Sequence, residues 1–173
     1  ISRFQKIIDD EFLCTPETLS AVGVGTIIKE GDIIDLEDGL PWKVIETPGH
    51  CPGMVSLFSR SGLLSADNVT MVGTILVPST DGDMRQYRDG LERLSSLNSN
   101  LICPSHGPVC AAPKRILLRT LKHRMERHSK VLNAVKEGSI HLAEIATNAY
   151  EDAPGAPESL ARDQTLSHLK SLV

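Results

Sequence analysis

The 173-residue sequence predicts a layered α/β fold with a functional site along one rim of its sheet. Three short apolar runs support this prediction, because each has strand character and each ends in a loop that holds a polar residue. The residues placed in this way are His50, Asp67 and His106. An amphipathic helical pattern lies between the second run and the third. Strand, helix and strand with polar residues at the strand ends is typical of layered α/β proteins.

Composition indicates an ordinary globular protein, with 40% hydrophobic and 23% charged residues. The length allows one sizeable core and a small second domain. No window approaches the roughly 20 apolar residues of a membrane span, and nothing near the start has the pattern of a signal peptide. We therefore expect an intracellular, cytoplasmic protein with no membrane contact. The chain opens on Ile1 and not on Met, so we also expect its natural beginning to be missing.

The four cysteines are scattered without a CxxC pair, which predicts reduced thiols in a chain with no export signal. They are Cys14, Cys51, Cys103 and Cys110. Two of them lie close to a histidine in sequence and are alternative soft metal ligands. We favour the neighbouring histidines, because the loops place them better.

The first forty residues combine a helical pattern with a β pattern. Apolar residues at spacings of three and four predict a short helix over 1–13. Residues 22–34 are rich in β-branched side chains and are interrupted by glycines, which predicts strands. The Asp38-Gly39 turn then leads into a strand over 42–46. We expect these strands to be antiparallel and to feed the first histidine loop.

That loop, residues 47–53, has the sequence TPGHCPG. Its two prolines and two glycines end the strand ladder and hold His50 on a rigid turn. The next two strands, over 54–59 and 63–66, are joined by a Ser-Gly turn. An antiparallel pair returns the chain to the edge that it left, so His50 and Asp67 are expected to lie close together.

A helix is predicted from Met84 onward, because Asp83 is a good N-cap and Gln86 completes a capping-box pattern. Its apolar face follows the helical repeat. The residues of this face are Met84, Tyr87, Leu91, Leu94 and Leu97. A strand over 100–103 then leads to the second histidine loop, which holds His106.

A long helix is predicted over 113–137, with Pro113 at its first position and Gly138 as its C-cap. The predicted apolar stripe consists of Leu118, Leu121, Met125, His128, Leu132 and Val135, which makes His128 a packed residue and leaves His123 exposed. Residues 113–136 carry eight bases and one acid, whereas residues 1–40 carry nine acids and three bases. Such a basic helix is a solvated face or a nucleic-acid contact; we favour the solvated face.

The C-terminal tail contains two further predicted helices. Ser139 is expected to cap a helix through Tyr150, and a last helix spans 158–172 with an apolar stripe. The stripe residues are Leu160, Leu166, Leu169 and Leu172. The arrangement is similar to a helix-turn-helix with a terminal recognition helix. A structural module that packs on the main domain, or that forms a homodimer, has the same pattern and is favoured, because Arg162 and Lys170 are the last helix's only bases.

Three motifs carry a resemblance to a known family: TPGH at 47–50, SADN at 65–68 and PSHGP at 104–108. GDM at 82–84, the His123-Arg124 pair with Arg127, and the helical tail add to it. In this order the motifs resemble the metallo-β-lactamase superfamily, in particular its hydrolase branch around β-lactamase-like protein 2.

The resemblance implies the C-terminal half of an αββα sandwich with a small all-α, winged-helix-like tail. The expected divisions are 1–112 for the sandwich half, 113–137 for a connecting helix and 138–173 for the tail. The family's HxHxDH signature does not occur in the sequence, so we expect a preceding segment to supply it. Ser65-Ala66-Asp67 replaces the usual Thr-Gly-Asp, and His128 and Lys130 replace a Glu and a Gln; we expect these changes to affect packing more than chemistry.

The resemblance also implies two divalent metal ions, usually zinc, in the complete protein. His50 would bind the first ion, Asp67 would bridge both, and His106 would bind the second; no further catalytic residue is identified. Such ions lower the pKa of a bridging water towards about 7. The implied substrate is a small ester or thioester, or an RNA phosphodiester contacted through 113–136. The basic helix and the helical tail slightly favour RNA, and a glyoxalase-II-like thioesterase is less favoured, because the tail resembles a winged helix and not a glutathione-binding domain. A nucleic-acid-binding or regulatory protein, and an inactive fragment, are the alternative hypotheses.

Overall fold

The computed structural model describes residues 12–36 and 39–173. Most of the helix predicted over 1–13 lies outside the described residues, and Leu13 belongs to a strand. The elements in chain order are β1 Leu13–Cys14, α1 Pro16–Val22, β2 Thr26–Ile27, β3 Ile33–Asp35, β4 Pro41–Glu46, β5 Val55–Phe58, β6 Leu63–Ala66, α2 Met84–Ser95, β7 Ile102–Pro104, α3 Pro113–Lys136, α4 Leu142–Ala149 and α5 Glu158–Lys170.

A five-stranded sheet of order β3-β4-β5-β6-β7 forms the centre of the fold. Strands β3 to β6 are antiparallel neighbours, and β7 joins β6 in parallel. The loop before β5 and the loops after β6 and β7 therefore lie at the same edge of the sheet. These three loops contain the three predicted site residues. A separate parallel pair is formed by β1 and β2.

Helix α2 forms the main core against the sheet, as its amphipathic pattern predicts. The side chain of Asp83 accepts hydrogen bonds from the backbone N–H groups of Arg85 and Gln86, which confirms the N-cap. The side chains of Met84, Tyr87, Leu91 and Leu94 are fully buried in this core. The helix ends at Ser95, two residues before the predicted stripe ends.

Helix α1 was not predicted from the sequence. It has clear termini, since the Thr15 side chain accepts from the Thr18 N–H and Gly23 ends the helix at φ 78°. None of its residues is buried. A helix without a buried face has no apolar periodicity, which is why the sequence pattern did not indicate it.

Helix α3 has the predicted bounds but a different buried face. Leu118, Met125 and Val135 of the predicted stripe are exposed, whereas Arg124 and Arg127 are buried. Arg124 donates to the Ile75 carbonyl and lies over the Tyr87 ring. Arg127 donates to the Ala149 carbonyl and lies over the Tyr150 ring, 4.0 Å from its centroid. Hydrogen bonding and ring stacking thus let two arginines occupy positions that the sequence pattern assigns to solvent.

The Asp152 carboxylate forms ion pairs with two basic side chains of α3. It pairs with Arg127 at 2.9 Å and with Lys130 at 2.6 Å. Both bases lower the pKa of Asp152 to about 2. Two of the eight bases of 113–136 are therefore paired with Asp152, and Lys122 pairs with Glu126 at 3.7 Å. The basic surface of this helix is smaller than its sequence indicates.

The tail is helical and packs against α3 through a second core. This core consists of Val131, Ala134, Ile145 and Ala149. The predicted Ser139 cap is wrong: His141 precedes α4, and the Ser139 hydroxyl accepts from the Asn148 side chain. No strand follows β7 in residues 105–173, all of which are described. The similarity to a winged helix and the divisions at 112/113 and 137/138 stay predictions.

Helix α5 buries mostly polar side chains instead of its predicted leucine stripe. Leu172 is exposed, and Leu160, Leu166 and Leu169 are only half-buried. The buried residues are Ala161, Gln164, Thr165, Ser167 and His168. None of the described helices is long and apolar enough to cross a lipid bilayer.

His168 is the most deeply buried titratable side chain of the tail, with no exposed surface. Its ring lies 5.5 Å from that of His128, and neither of its nitrogens has a hydrogen-bond partner among the described residues. Burial, followed by the charges of Arg124, His128, Arg88 and Arg127, lowers its pKa from 6.5 to about 3. The imidazole is therefore neutral in the folded protein at every pH above that value.

Stability is expected to fall as the pH drops below 6.5. The unfolded chain binds a proton at His168 that the folded protein does not bind, so the unfolded state gains protons between pH 6.5 and about 3. Between pH 7 and pH 5 this group alone should remove about 2 kcal/mol from the free energy of unfolding. Urea denaturation at several pH values measures the slope. His168→Leu should flatten it, whereas His141→Gln, at an exposed position, should leave it unchanged.

Candidate metal centre

His50, Asp67 and His106 converge at the shared edge of β5, β6 and β7. The His50 Nε2 lies 3.6 Å from Asp67 Oδ2, and the His106 Nε2 lies 3.5 Å from Asp67 Oδ1. The carboxylate thus stands between two imidazoles that are 56 residues apart in sequence (106 − 50). Asp67 and His50 are about one quarter exposed, and His106 is mostly exposed. The predicted proximity of His50 and Asp67 is confirmed by the antiparallel pairing of β5 with β6.

A backbone carbonyl fixes the orientation of His50. The Nδ1 atom lies 2.7 Å from the Leu76 carbonyl oxygen. A carbonyl oxygen can only accept, so Nδ1 is the donor in this contact, and Nε2 is the ring nitrogen that faces Asp67. This is the arrangement by which proteins prepare a histidine as a metal ligand. The sequence pattern did not indicate this role of Leu76, because every residue type has a main-chain carbonyl.

The residue before Asp67 has an unusual backbone conformation. Ala66 has φ 46°, the only positive φ of a non-glycine residue in the described ranges. It occupies the position at which the resemblance implies glycine. A glycine here would adopt the same conformation without strain, and the expectation that the difference affects packing more than chemistry stays a prediction. Left-handed backbone costs an L-residue about 1–2 kcal/mol, so the turn that presents Asp67 is strained.

Ala66→Gly is expected to stabilise the protein by about 0.5–1 kcal/mol. Glycine relieves the strain at φ 46°, and its greater freedom in the unfolded chain offsets part of that gain. Chemical denaturation measures the change. The control is Ala143→Gly at the second residue of α4, which should destabilise by up to about 1 kcal/mol because its backbone is helical. Equal destabilisation by both variants would contradict the strain at Ala66.

Asn68 ties the His50 loop to the Asp67 turn. Its fully buried side-chain amide donates to the Thr47 hydroxyl at 2.9 Å, the Ser56 hydroxyl at 3.0 Å and the Ser65 carbonyl at 2.9 Å. The main-chain carbonyl of Asn68 accepts from the Tyr87 hydroxyl at 2.6 Å. Asn68 therefore connects Thr47, β5 and β6 through its side chain, and α2 through its main chain, behind the cluster. Sequence reasoning used Asn68 only as part of a motif and did not predict this role.

The His106 loop is held against the segment that follows Asp67. The His106 carbonyl accepts from the Met71 N–H at 3.1 Å and from the Thr70 hydroxyl at 3.3 Å. Gly107 has φ 98°, and a Cβ there would lie 2.6 Å from the Met71 Cβ. Glycine is thus required for the close approach of the two loops.

The two cysteines considered as alternative ligands are half-buried free thiols. Burial, followed by the negative charges of Asp81 and Asp67, raises the pKa of the Cys51 thiol. A raised pKa keeps the thiol protonated at neutral pH, and a protonated thiol is a poor metal ligand. The histidine beside it is the better donor, as the sequence analysis favoured.

The three side chains fit part of a metal centre. Within residues 12–36 and 39–173, no group of three or more His, Cys, Asp or Glu side chains is arranged to hold a metal ion by itself. However, Asp67 Oδ1 is buried without a hydrogen-bond partner in the described part of the chain, because its contact with His106 lacks hydrogen-bond geometry. A buried carboxylate oxygen requires compensation, which a cation provides. Imidazole and carboxylate are suitable ligands for zinc, iron and manganese.

A carboxylate between two imidazoles, at the edge of a mixed sheet, is typical of metal-dependent hydrolases. The family model of the metallo-beta-lactamase superfamily matches residues 5–106. The chain belongs to the metallo-beta-lactamase superfamily. Proteins of this superfamily are generally hydrolases and bind divalent metal ions, typically zinc.

Relatives and solved structures agree with this assignment. The chain is 30% identical over 138 residues to a beta-lactamase-like protein 2 homolog of Caenorhabditis elegans, covering 78% of this chain and 45% of that protein. It is 29% identical over 92 residues to the hydroxyacylglutathione hydrolase of Erwinia tasmaniensis, covering 53% of this chain and 36% of that protein. The chain spans about half the length, or less, of the curated relatives it matches.

Structural similarity confirms the fold class. A beta-lactamase domain protein from Burkholderia ambifaria superimposes with a TM-score of 0.76 at 23% sequence identity. The match covers 86% of this chain and 47% of that chain. At this identity the likeness shows the fold alone, which is mixed α/β.

Proposed function

We propose that the complete protein is a metal-dependent hydrolase to which this chain contributes His50, Asp67 and His106 as metal ligands. Asp67 would bridge two divalent ions, most simply zinc, with His50 on the first and His106 on the second. The remaining ligands would come from a segment with the HxHxDH pattern. The observation that carries the proposal is the position of the Asp67 carboxylate between two imidazole Nε2 atoms, at 3.6 and 3.5 Å.

Each of the three residues has a defined task in this proposal. The Leu76 carbonyl holds His50 with its Nε2 atom towards Asp67. The strained turn at Ala66 presents the carboxylate, and the buried Asn68 amide fixes that turn to the His50 loop. Divalent ions, when bound, polarise the bond to be cleaved and lower the pKa of water. The chain's own contribution is to orient the ligands before the ions bind.

We further propose a small ester or thioester as the substrate. Two cavities of about 230 and 290 Å³ share the lining residues Thr74, His123 and Arg124. The first is also lined by Thr70, which bonds the His106 loop, and the second by Leu76, which bonds His50. Cavities near 300 Å³ suit small molecules. The hydrolase of Erwinia tasmaniensis acts on hydroxyacylglutathione, which is a small thioester.

RNA is the competing substrate, and the basic helix α3 would be its contact surface. Lys114, Arg115, Arg119 and Lys136 are exposed on α3 and are available to phosphates. Arg124 and Arg127 are buried, and two lysines of the helix pair with acids. This reduced basic surface favours the small-molecule substrate over RNA.

The test uses the natural protein that contains this chain, loaded with Zn²⁺. Phenyl acetate, a hydroxyacylglutathione and a single-stranded RNA are offered at matched concentrations. We expect hydrolysis of the ester or the thioester, loss of activity with a chelator and recovery on adding Zn²⁺. Cleavage of RNA alone would replace the proposed substrate class. Salt-sensitive RNA binding without turnover, in a protein that elemental analysis shows to be metal-free, would instead support the scaffold hypothesis.

A further inference from the structure

The segment of residues 75–79 connects the candidate metal centre to the C-terminal helix. It has no regular secondary structure, and it lies between the Asp67 turn and helix α2 in sequence. The side chains of Ile75 and Val77 are buried in the main core, whereas Leu76 between them is partly exposed. Side chains from elsewhere in the fold bind the main-chain groups of this segment.

Helix α5 supplies most of those side chains. Gln164 accepts from the Val77 N–H at 3.2 Å and donates to the Val77 carbonyl at 2.9 Å. Asp163 accepts from the Ser79 N–H at 3.1 Å and from the Ser79 hydroxyl at 2.6 Å. Lys170 donates to the Ser79 carbonyl at 2.6 Å. The contacts with Val77 explain why α5 buries Gln164: its side-chain amide replaces the strand partner that the segment lacks.

Gln164 is the central contact of this set. It is only 4% exposed, and its amide satisfies both main-chain groups of one residue, as a neighbouring strand would. On the other side of Leu76, Arg124 of α3 donates to the Ile75 carbonyl. The main chain is thereby held on both sides of Leu76, at the Ile75 carbonyl and at the Val77 N–H. Its carbonyl is the group that accepts from His50 Nδ1 at 2.7 Å.

We propose that Gln164 is a positioning residue for the metal centre, acting through Val77 and the Leu76 carbonyl on the tautomer and orientation of His50. The tail then has a role in the site that is distinct from nucleic-acid binding or dimer formation. The catalytic meaning of this inference rests on the proposed function. The positioning itself concerns only the chain described here and can be measured without a bound metal.

The test compares Gln164→Met with Thr165→Ala in the 173-residue chain. Methionine keeps the volume and helix propensity of glutamine but removes both hydrogen bonds to Val77. Thr165 is the adjacent residue on α5 and is fully buried. It is therefore a control for a general loss of packing. The first readout is the ¹⁵N chemical shift of the His50 ring at about pH 8.5, above the ordinary histidine pKa of about 6.5.

The wild type and Thr165→Ala should show a His50 ring protonated on Nδ1. Gln164→Met should shift the ring towards the Nε2-protonated tautomer. The second readout is the Zn²⁺ affinity of the natural protein that contains this chain, measured by calorimetry. Gln164→Met should lower it by about tenfold, as loss of support behind a ligand does. The Zn²⁺ affinity of Thr165→Ala should stay within about twofold of the wild-type value, because this variant keeps the hydrogen bonds between Gln164 and Val77.

Gln164→Glu serves if the methionine variant does not fold. It can still accept from the Val77 N–H, but it cannot donate to the Val77 carbonyl when ionised, so it should give a smaller shift in the same direction. An unchanged His50 tautomer in both Gln164 variants would overturn the inference and leave Gln164 as a docking contact only. A tautomer shift combined with no Zn²⁺ binding by the natural protein would support the positioning and count against the proposed function.

Discussion

Asp67→Ala is expected to abolish hydrolysis in the natural, Zn²⁺-loaded protein, with a loss of at least about a thousandfold in kcat/KM, or about 4 kcal/mol. The carboxylate lies against both imidazoles, so its removal should affect both proposed ion positions. Elemental analysis should show loss of bound zinc. The free energy of unfolding of the metal-free protein should change little, because the variant also removes a buried, unpartnered oxygen.

Asp89→Asn is the matched control for this variant. Asp89 is an exposed carboxylate on α2 that contacts none of the three candidate ligands. It should retain full zinc content and wild-type turnover. If Asp67→Ala kept wild-type turnover with full metal occupancy, the assignment of Asp67 as a bridging ligand would be wrong. His50→Ala should lose activity in the same way, because it removes one of the two imidazoles.

Gly49→Ala is expected to destabilise the protein by about 3 kcal/mol or more, the sum of backbone strain and steric overlap. Gly49 has φ 139°, and a Cβ there would lie 2.4 Å from the Tyr87 backbone nitrogen. The neighbour is helix backbone and cannot turn aside as a flexible side chain would. The Gly49 carbonyl also accepts from the Asp83 N–H at 2.8 Å, so a displaced loop would lose its contact with the start of α2.

Urea denaturation of the metal-free chain measures this effect. Gly155→Ala is the control, since nothing lies within 4 Å of a Cβ at that position. It should change the free energy of unfolding by less than about 0.5 kcal/mol, as is usual for surface substitutions. A destabilisation of Gly49→Ala no larger than that of the control would show that the loop can move away from α2 at little cost.

The sequence predicted the candidate site well because its signals are local. Each of the three proposed ligands follows or precedes a short strand and stands in a loop with glycine or proline. Antiparallel and parallel pairing rules then place those loops at one edge, as the structure shows. The groups behind the ligands were not predictable in this way. A backbone carbonyl such as that of Leu76 can belong to any residue type, and nothing in the motif at 65–68 indicates the three hydrogen bonds of Asn68.

The helices show where apolar periodicity is insufficient. It placed α2 correctly, since the buried face of that helix is apolar. It failed for α3 and α5, where the buried positions include Arg124 and Gln164. These side chains are buried because main-chain groups of 75–79 need partners, and that need arises only from the tertiary structure. A pattern that assigns charged and polar residues to solvent cannot anticipate it.

The hydrogen bonds from α5 to residues 75–79 determine which positions of the two elements can vary among homologues. The bonds from α5 to Val77 are made to main-chain atoms, which do not depend on the identity of the side chain. Leu76, partly exposed, can therefore be exchanged freely as far as the tail is concerned. Proline at position 77 would break one of these bonds, because proline has no N–H from which Gln164 can accept. Substitution should thus be tolerated at position 76 and restricted at position 164.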